Sequence, residues 1–362
     1  MLQDGVITVL GTMSGTSLDG VDAAVLHTDG VQIAGFGPSA YRPYSAAEQA
    51  VLKAHLGRWQ DADCSEAAQI IEDAHIALME PFGDIHLAGF HGQTLAHDPG
   101  GRGTHQCGDG ARLAAALGYP VAWDFRSADV AAGGQGAPLA PFYHFALAKW
   151  IKADAPLAFL NLGGVGNITW VNPACDGPTD PAALLAFDTG PANAPMNDLM
   201  RLRHGVDYDA DGARAAQGQP DAEILETFMA HPYFGKPAPK SLDRDAFDGL
   251  SKGVVDLPDA DALATLVAAV VQSVVAACGL CPTMPAQLLV TGGGRHNKTV
   301  MAGLAQALSC DVFPVEEVGL DGDMLEAQAF AYLAVRAARG YPLSGPQTTG
   351  VPIPLTGGRL SL

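Results

Sequence analysis

Asp188 stands at the end of the apolar run 183–187 and is followed by Thr189, Gly190 and Pro191. A carboxylate at a strand end beside a tight turn can serve as a general base, because α/β proteins collect ligands at the carboxyl ends of their strands. The plain alternative is an Asp that caps the turn. Asn193 and Asp198 lie just beyond and are candidates to orient it. A second set of candidates opens the chain. Ser14, Gly15, Thr16 and Ser17 bring hydroxyls and backbone N–H groups into one glycine turn, a donor array suited to phosphate. Asp19 and Asp22 follow and could reach a hydrated Mg²⁺, although Asp-Gly is also ordinary hairpin sequence.

The turn has an echo. Gly163 and Gly164 lie in Leu160-Asn-Leu-Gly-Gly-Val-Gly-Asn-Ile-Thr169, again between two apolar runs. One such strand–turn–strand is weak; two suggest phosphate gripped from both sides of a cleft. Gly292, Gly293 and Gly294 form a third glycine turn after the apolar run 288–291, suited to close approach of a ring or phosphate or to a plain strand–helix turn. His91-Gly-Gln-Thr94 follows the run 85–90. A lone His there is a candidate base, more often a structural hydrogen-bonding residue. Arg126 is a candidate cation for a sugar carboxylate or a phosphate. Asp323 and Glu326 begin the last helix, where acidic residues favour any helix start.

Several chemistries are excluded by pattern. There is no Gly-x-x-x-x-Gly-Lys-Ser/Thr. Gly163-Gly-Val-Gly166 precedes a strand, so it fails the context of a dinucleotide fingerprint. Cys278-Gly-Leu-Cys281 has metal and redox spacing, but no second pair completes a site, and two small apolar residues at a helix end are the better reading.

The positioning elements follow from the periodicity. Strands are expected at 7–10, 23–26, 31–36, 85–90, 119–123, 157–162, 168–171, 183–187 and 288–291. Helices are expected at 45–56, 64–80, 111–117, 141–151 and 324–340. The run 263–281 is long and apolar, but Thr265, Gln272 and Ser273 interrupt it. It reads as a buried helix starting near Asp259 or Asp261, not a membrane span. Gly133-Gly-Gln-Gly-Ala-Pro138 is a candidate hinge or domain junction. With 362 residues, two domains are expected: 1–125, which the tail 346–362 is a candidate to rejoin, and 126–345. The class is α/β, with two cores that echo each other. A net charge of −19 argues against a nucleic-acid partner. No signal peptide pattern opens the chain, and the six cysteines are scattered, so a reduced, cytoplasmic protein is expected.

These segments resemble the anhydro-N-acetylmuramic acid kinase family. The resemblance is carried by Gly11-Thr-Met-Ser-Gly-Thr-Ser-Leu-Asp-Gly-Val-Asp22, His91-Gly-Gln-Thr94, Asp124-Phe-Arg126, Asp129-Val-Ala-Ala-Gly-Gly-Gln-Gly-Ala-Pro-Leu139, Asn161-Leu-Gly-Gly164, Gly166-Asn167, Phe187-Asp-Thr-Gly-Pro191, Gly292-Gly-Gly294 and Glu326-Ala327. It implies the fold of the actin, hexokinase and sugar-kinase superfamily, two α/β domains closing on ATP. It implies a reaction of ATP and water with 1,6-anhydro-N-acetylmuramic acid, in murein recycling. Asp188 would activate the water. Residues Gly15 to Asp22, with Leu18, Gly20 and Val21 among them, would form an ATP-binding segment completed by Gly163, Gly164 and Gly292 to Gly294. Asp19 would hold Mg²⁺. His91, Gln93, Arg126, Asn167 and Glu326 are the candidate sugar contacts. The competing readings are an ordinary amino-sugar kinase of the same fold, a non-catalytic sugar-sensing regulator and, more distantly, a phosphatase. A membrane partner is not expected, and a homodimer is left open.

Overall fold

The computed structural model describes residues 4–242 and 246–362. The chain forms two compact units. One holds Met1–Lys152, Gly177–Pro181 and Met324–Leu362; the other holds Ala153–Asp176 and Ala182–Asp323.

The first unit opens with strands β1 (Ile7–Ser14), β2 (Gly20–Thr28) and β3 (Ile33–Pro43), a meander of antiparallel neighbours. Helices α1 (Ala46–His55) and α2 (Ser65–Met79) follow. Ser45 caps α1 in a full capping box with Glu48, satisfying two orphan N–H groups at once. Then come β4 (Leu87–Asp98), β5 (Gly103–Cys107), α3 (Gly110–Leu117), β6 (Val121–Trp123), α4 (Ser127–Ala131) and α5 (Pro141–Trp150). Strands β4 and β6 run parallel to β1. One sheet face buries Leu10, Val21, Val25, Ala88 and Phe90 against α1 and α2 residues such as Leu52 and Ile71.

The second unit repeats this plan. Strands β7 (Leu157–Leu162), β8 (Val165–Val171) and β9 (Leu184–Pro191) form an antiparallel meander. Helices α6 (Asn193–His204), α7 (Ala222–Met229), α8 (Asp248–Gly253) and α9 (Asp259–Leu280) precede β10 (Gln287–Thr291), α10 (Lys298–Ala307) and β11 (Asp311–Pro314). Strands β10 and β11 are parallel to β7. The orders β3-β2-β1-β4-β6 and β9-β8-β7-β10-β11 are the same walk through a sheet. The duplicated α/β cores of the expected superfamily fold are therefore present. Helix α9 is long and apolar enough to cross a membrane, but two-thirds of its apolar window is buried. It packs Leu263, Leu266, Val270 and Val274 into the core beneath Leu160, Ile168 and Phe187.

The chain then returns to the first unit as α11 (Leu325–Ala338) and the edge strand β12 (Arg359–Ser361) beside β6. Helix α11 lies directly on the sheet. A Cβ on Gly11 would sit 1.9 Å from Ala327 O, and one on Gly89 would sit 2.2 Å from Phe330 O. Gly11 is thus required by a helix backbone crossing its strand, not by the turn it precedes.

The division of the chain differs from one at residue 125. Helix α5 is buried from Pro141 to Ala148, and its Tyr143 donates to Gln328 Oε1 on α11 at 2.9 Å. Residues 126–152 and 324–345 therefore lie in the first unit. The 133–138 segment is no junction. Gly136 N–H donates to the buried Asp129 carboxylate at 2.7 Å, and Gln135 N–H donates to Thr349 O at 2.7 Å.

Candidate active site

In the first unit β1 ends at Ser14 and β2 starts at Gly20, so the expected glycine turn forms. Its hydrogen bond runs from Leu18 N–H to Gly15 O, 3.2 Å. Thr16 and Ser17 are exposed at its tip, and among the described residues their N–H groups donate to no protein acceptor. Two amides and the Thr16 hydroxyl are thus open to an anion. Leu18 adopts φ 58° with its side chain buried, and Val21 points into the core. Neither side chain is offered to a ligand; only their backbones could be.

Asp19 is exposed. Its Oδ1 accepts from Ser17 Oγ (2.8 Å) and from Gly20 N–H (3.0 Å), while its carbonyl accepts from Tyr41 OH (2.9 Å) and Tyr44 N–H (3.0 Å). The carboxylate is held rigidly with Oδ2 left over. Asp22 is not in the turn; it lies within β2 opposite Met13. No group of three or more His, Cys, Asp or Glu residues among the described ones could hold a metal ion. A single anchored carboxylate fits a hydrated Mg²⁺ carried mainly by phosphates.

His91-Gly-Gln-Thr94 lies inside β4 rather than after it. Thr12 pairs with Phe90 and Ser14 with Gln93, so β4 carries a bulge at His91–Gly92, with Gly92 at φ 73°. Bulges re-aim side chains, and this one turns Gln93 toward the glycine turn. Ser14 Oγ donates to Gln93 Oε1 at 2.6 Å, and Gln93 Nε2 donates to Gly15 O at 3.1 Å. Tyr44 OH lies 3.2 Å from Ser14 Oγ. Gln93 is fully buried and spends its amide on the glycine turn, which it braces.

His91 is also engaged at both nitrogens. Arg126 Nε donates to His91 Nε2 at 3.1 Å, which makes Nε2 the acceptor and leaves Nδ1–H to donate to Gly92 O at 2.8 Å. Burial, then the Arg126 charge, holds this imidazole well below its usual range. It is a neutral residue whose two ring nitrogens are engaged by Arg126 and by Gly92 O. Burial lowers Arg126 to about 10, with Glu326 and Asp129 opposing that shift. It stays charged at neutral pH. Glu326 is exposed at the start of α11, yet the protein around it withholds enough water to raise its carboxyl. Asp19 adds to the rise and Arg126 opposes it.

In the second unit Asp188 lies within β9, where Thr189 is the extra residue of a bulge opposite Gly166–Asn167. In register across three strands stand Asn161, Asn167 and Asp188, with Thr291 next on β10. Facing residues of paired strands share a side of the sheet, so this polar row lies opposite the face that buries Leu160, Ile168 and Phe187. Segment 232–242 wraps Asp188. Leu242 N–H donates to Asp188 Oδ2 (2.8 Å), Asp188 N–H donates to Lys240 O (3.0 Å), and Tyr233 OH donates to Asp188 O (2.5 Å). Asp198 instead pairs with Arg201 at 3.3 Å.

Asn193 serves the glycine turns. Its Nδ2 donates to Leu162 O at 2.7 Å. Its N–H donates to Gly163 O (2.9 Å), and Ala192 N–H donates to Gly164 O (3.0 Å). The carbonyls of the Gly163–Gly164 turn are thus used internally, while its N–H groups find no acceptor among the described residues. Gly292 adopts φ 72°, and a Cβ there would sit 2.2 Å from Asn161 Oδ1. Arg295 braces that turn, reaching Gly292 O (3.1 Å), Glu316 (2.8 Å) and Asp323 (2.8 Å). The second unit therefore gathers the Gly163, Gly164 and Gly292–294 turns at one end of its sheet.

A family model described as anhydro-N-acetylmuramic acid kinase matches residues 7–360. The chain belongs to the anhydro-N-acetylmuramic acid kinase family. The anhydro-N-acetylmuramic acid kinase of Cereibacter sphaeroides is 61% identical over 362 residues, covering 100% of this chain and 98% of that one. The one from Roseobacter denitrificans is 58% identical over 357 residues, covering 99% and 95%. Among solved structures, the activator of the 2-hydroxyisocaproyl-CoA dehydratase from Clostridium difficile aligns with a TM-score of 0.46 at 12% identity, over 92% of this chain and 96% of that one.

The structure adds residues to the candidate set of this anhydro-N-acetylmuramic acid kinase family member. Tyr44, Asn161, Tyr233 and Leu242 contact candidate residues directly. Asn161 lies in the quoted Asn-Leu-Gly-Gly motif and could have been read from it. Tyr44, Tyr233 and Leu242 lie 30, 45 and 54 residues from their partners, and no local pattern marks them.

Proposed function

We propose that this chain is an ATP-dependent kinase that hydrolytically opens 1,6-anhydro-N-acetylmuramic acid. The product is N-acetylmuramic acid 6-phosphate, formed in the cytoplasm during murein recycling. The family match across residues 7–360 carries the reading. The anchored Asp188 carboxylate supplies the base that such a reaction needs.

The chemistry balances with these groups. A water oxygen attacks the anomeric carbon, and the bond from that carbon to oxygen 6 breaks. Oxygen 6 takes the γ-phosphoryl group, ADP departs, and the water proton goes to Asp188. Leu242 N–H and the bonds to the Asp188 backbone fix the carboxylate's orientation before water arrives. The Thr16 and Ser17 amides of the first unit, and separately the Gly163 and Gly164 amides of the second, are donors suited to phosphate oxygens. Asp19 would hold Mg²⁺ through its water shell, and the ion would neutralise phosphate charge. Arg126 takes the lactyl carboxylate of the sugar. Asn167, beside Asp188, and Glu326 are the further polar contacts for the sugar.

Incubation with ATP, Mg²⁺ and the anhydro sugar in oxygen-18 water tests the reading by mass spectrometry. The label should enter the sugar at the anomeric carbon and not the phosphate, at times short of anomeric exchange measured on the product alone. An intact anhydro sugar, with phosphorylation of free amino sugars only, would replace this reading with an ordinary amino-sugar kinase.

A further inference from the structure

Arg126 has five N–H donors, and the protein uses only part of them. Nε and Nη2 both approach the single lone pair of His91 Nε2, at 3.1 and 3.0 Å, and Nη1 donates to Gly136 O at 2.7 Å. One N–H remains on each terminal nitrogen. The guanidinium is therefore clamped on two sides, with a pair of donors left for the two oxygens of an anion. One clamp is the neutral imidazole. The other is a backbone carbonyl in a glycine-rich loop, and such a carbonyl is only as well placed as its loop.

The loop is held from beneath by Asp129, which is 2% exposed. Its Oδ1 accepts from Gly136 N–H at 2.7 Å, and its Oδ2 accepts from Thr349 Oγ1 at 2.6 Å and from Ser344 Oγ. Its backbone carbonyl accepts from Gly134 N–H at 2.9 Å. A Cβ on Gly134 would fall 2.2 Å from Asp129 Oδ1, so the loop is wrapped tightly around the carboxylate. Neutral donors satisfy the buried charge, and the same peptide link that gives Asp129 an N–H is followed by the carbonyl that holds Arg126. Asp129 touches no open surface and cannot meet a substrate itself.

We propose that Asp129 is a positioning residue for anion recognition: it fixes the 133–138 loop so that the Gly136 carbonyl, opposite His91, aims the two free N–H groups of Arg126 at the carboxylate of the sugar. This rests on the reading of Arg126 as the carboxylate contact.

The test is a double-mutant cycle on the full-length enzyme with Asp129→Asn and Arg126→Gln. Turnover is measured on the anhydro sugar and on the same sugar lacking its lactyl group. Asn keeps an acceptor for Gly136 N–H but loses the charge-assisted grip on the loop. Arg126→Gln should raise the sugar KM about tenfold or more, and Asp129→Asn should raise it about three- to tenfold. Asp129→Asn should leave kcat and the ATP KM within about twofold, erode discrimination between the two sugars, and add nothing in the Arg126→Gln background. Additive effects, or equal losses on both sugars, would overturn the proposal. If Arg126→Gln leaves the sugar KM and the discrimination unchanged, the carboxylate role of Arg126 fails first. If Arg126→Gln acts and Asp129→Asn does not, only the Asp129 inference fails. Should Asp129→Asn not fold, Gly136→Ala answers the same question. Its φ is 67°, and its Cβ would meet Val130 Cγ2 at 2.6 Å, which shifts the carbonyl without touching the carboxylate. It should reproduce the selective KM rise, and a normal KM in that variant would overturn the proposal.

Discussion

Arg126 Nε donates to His91 Nε2 across 3.1 Å, and that bond exists only while the imidazole is neutral. His75, fully buried against Phe90, is likewise depressed, to about 4, and His144 to about 3, both by burial. In the unfolded chain each would take up a proton near its ordinary value of about 6.5. Between the folded and unfolded values the unfolded state binds more protons, so stability rises with pH there and falls as pH drops below about 6.5. The shift at His75 alone corresponds to about 3 kcal/mol, lost by about pH 4. Urea midpoints should therefore hold nearly level from pH 7.5 to about 6.5 and fall from there to about pH 5, and a His75→Phe variant should show a shallower fall.

Asp188→Asn keeps the shape of the side chain and deletes the base. We expect kcat to fall about 10²- to 10⁴-fold, with ATP affinity by calorimetry nearly unchanged. Tyr233→Phe removes the hydroxyl that holds Asp188 O. It should lower kcat by a smaller factor, about tenfold, while the sugar KM stays close to wild type. A wild-type rate in Asp188→Asn would remove Asp188 from the mechanism.

Gln93→Ala strips the Ser14 hydroxyl of its acceptor and Gly15 O of a donor inside a closed core. A loss of about 1–3 kcal/mol in stability is expected, together with weaker ATP binding because the turn is no longer braced. Calorimetric titration with ATP and a denaturant curve on the same sample check both parts.

Two glycine substitutions should behave oppositely. Gly11→Val drives a side chain into the backbone of α11 at Ala327 O, so soluble folded protein should be lost. At Gly164 a Cβ meets only Ala194 Cβ at 3.6 Å, so Gly164→Val should fold. It should nevertheless bind ATP more weakly, because a branched side chain stands where a phosphate would approach the backbone. Yield, circular dichroism and ATP calorimetry separate the two cases.

The sequence by itself determined the elements and the chemistry class. The two hairpins were legible because Ser14–Gly20 and Gly163–Gly164 put turn residues between β-forming runs, and periodicity marked α2, α9 and α11. Asp188 was legible because an apolar run, 183–187, ended beside it. Side-chain roles were decided only by the tertiary structure. Gln93 and His91 stood in the sequence as candidate ligand contacts, and only the bulge in β4 showed one bonded to the glycine turn and the other to Arg126. Gly133 to Pro138 read as a hinge until Asp129, bonded to Ser344 and Thr349 more than 200 residues further along the chain, held it from beneath. The physical reason is the same in each case. Strand and turn formation depend on near neighbours along the chain, whereas the partner of a buried polar atom is whichever group the folded chain brings within about 3 Å, and the order of residues does not encode that directly.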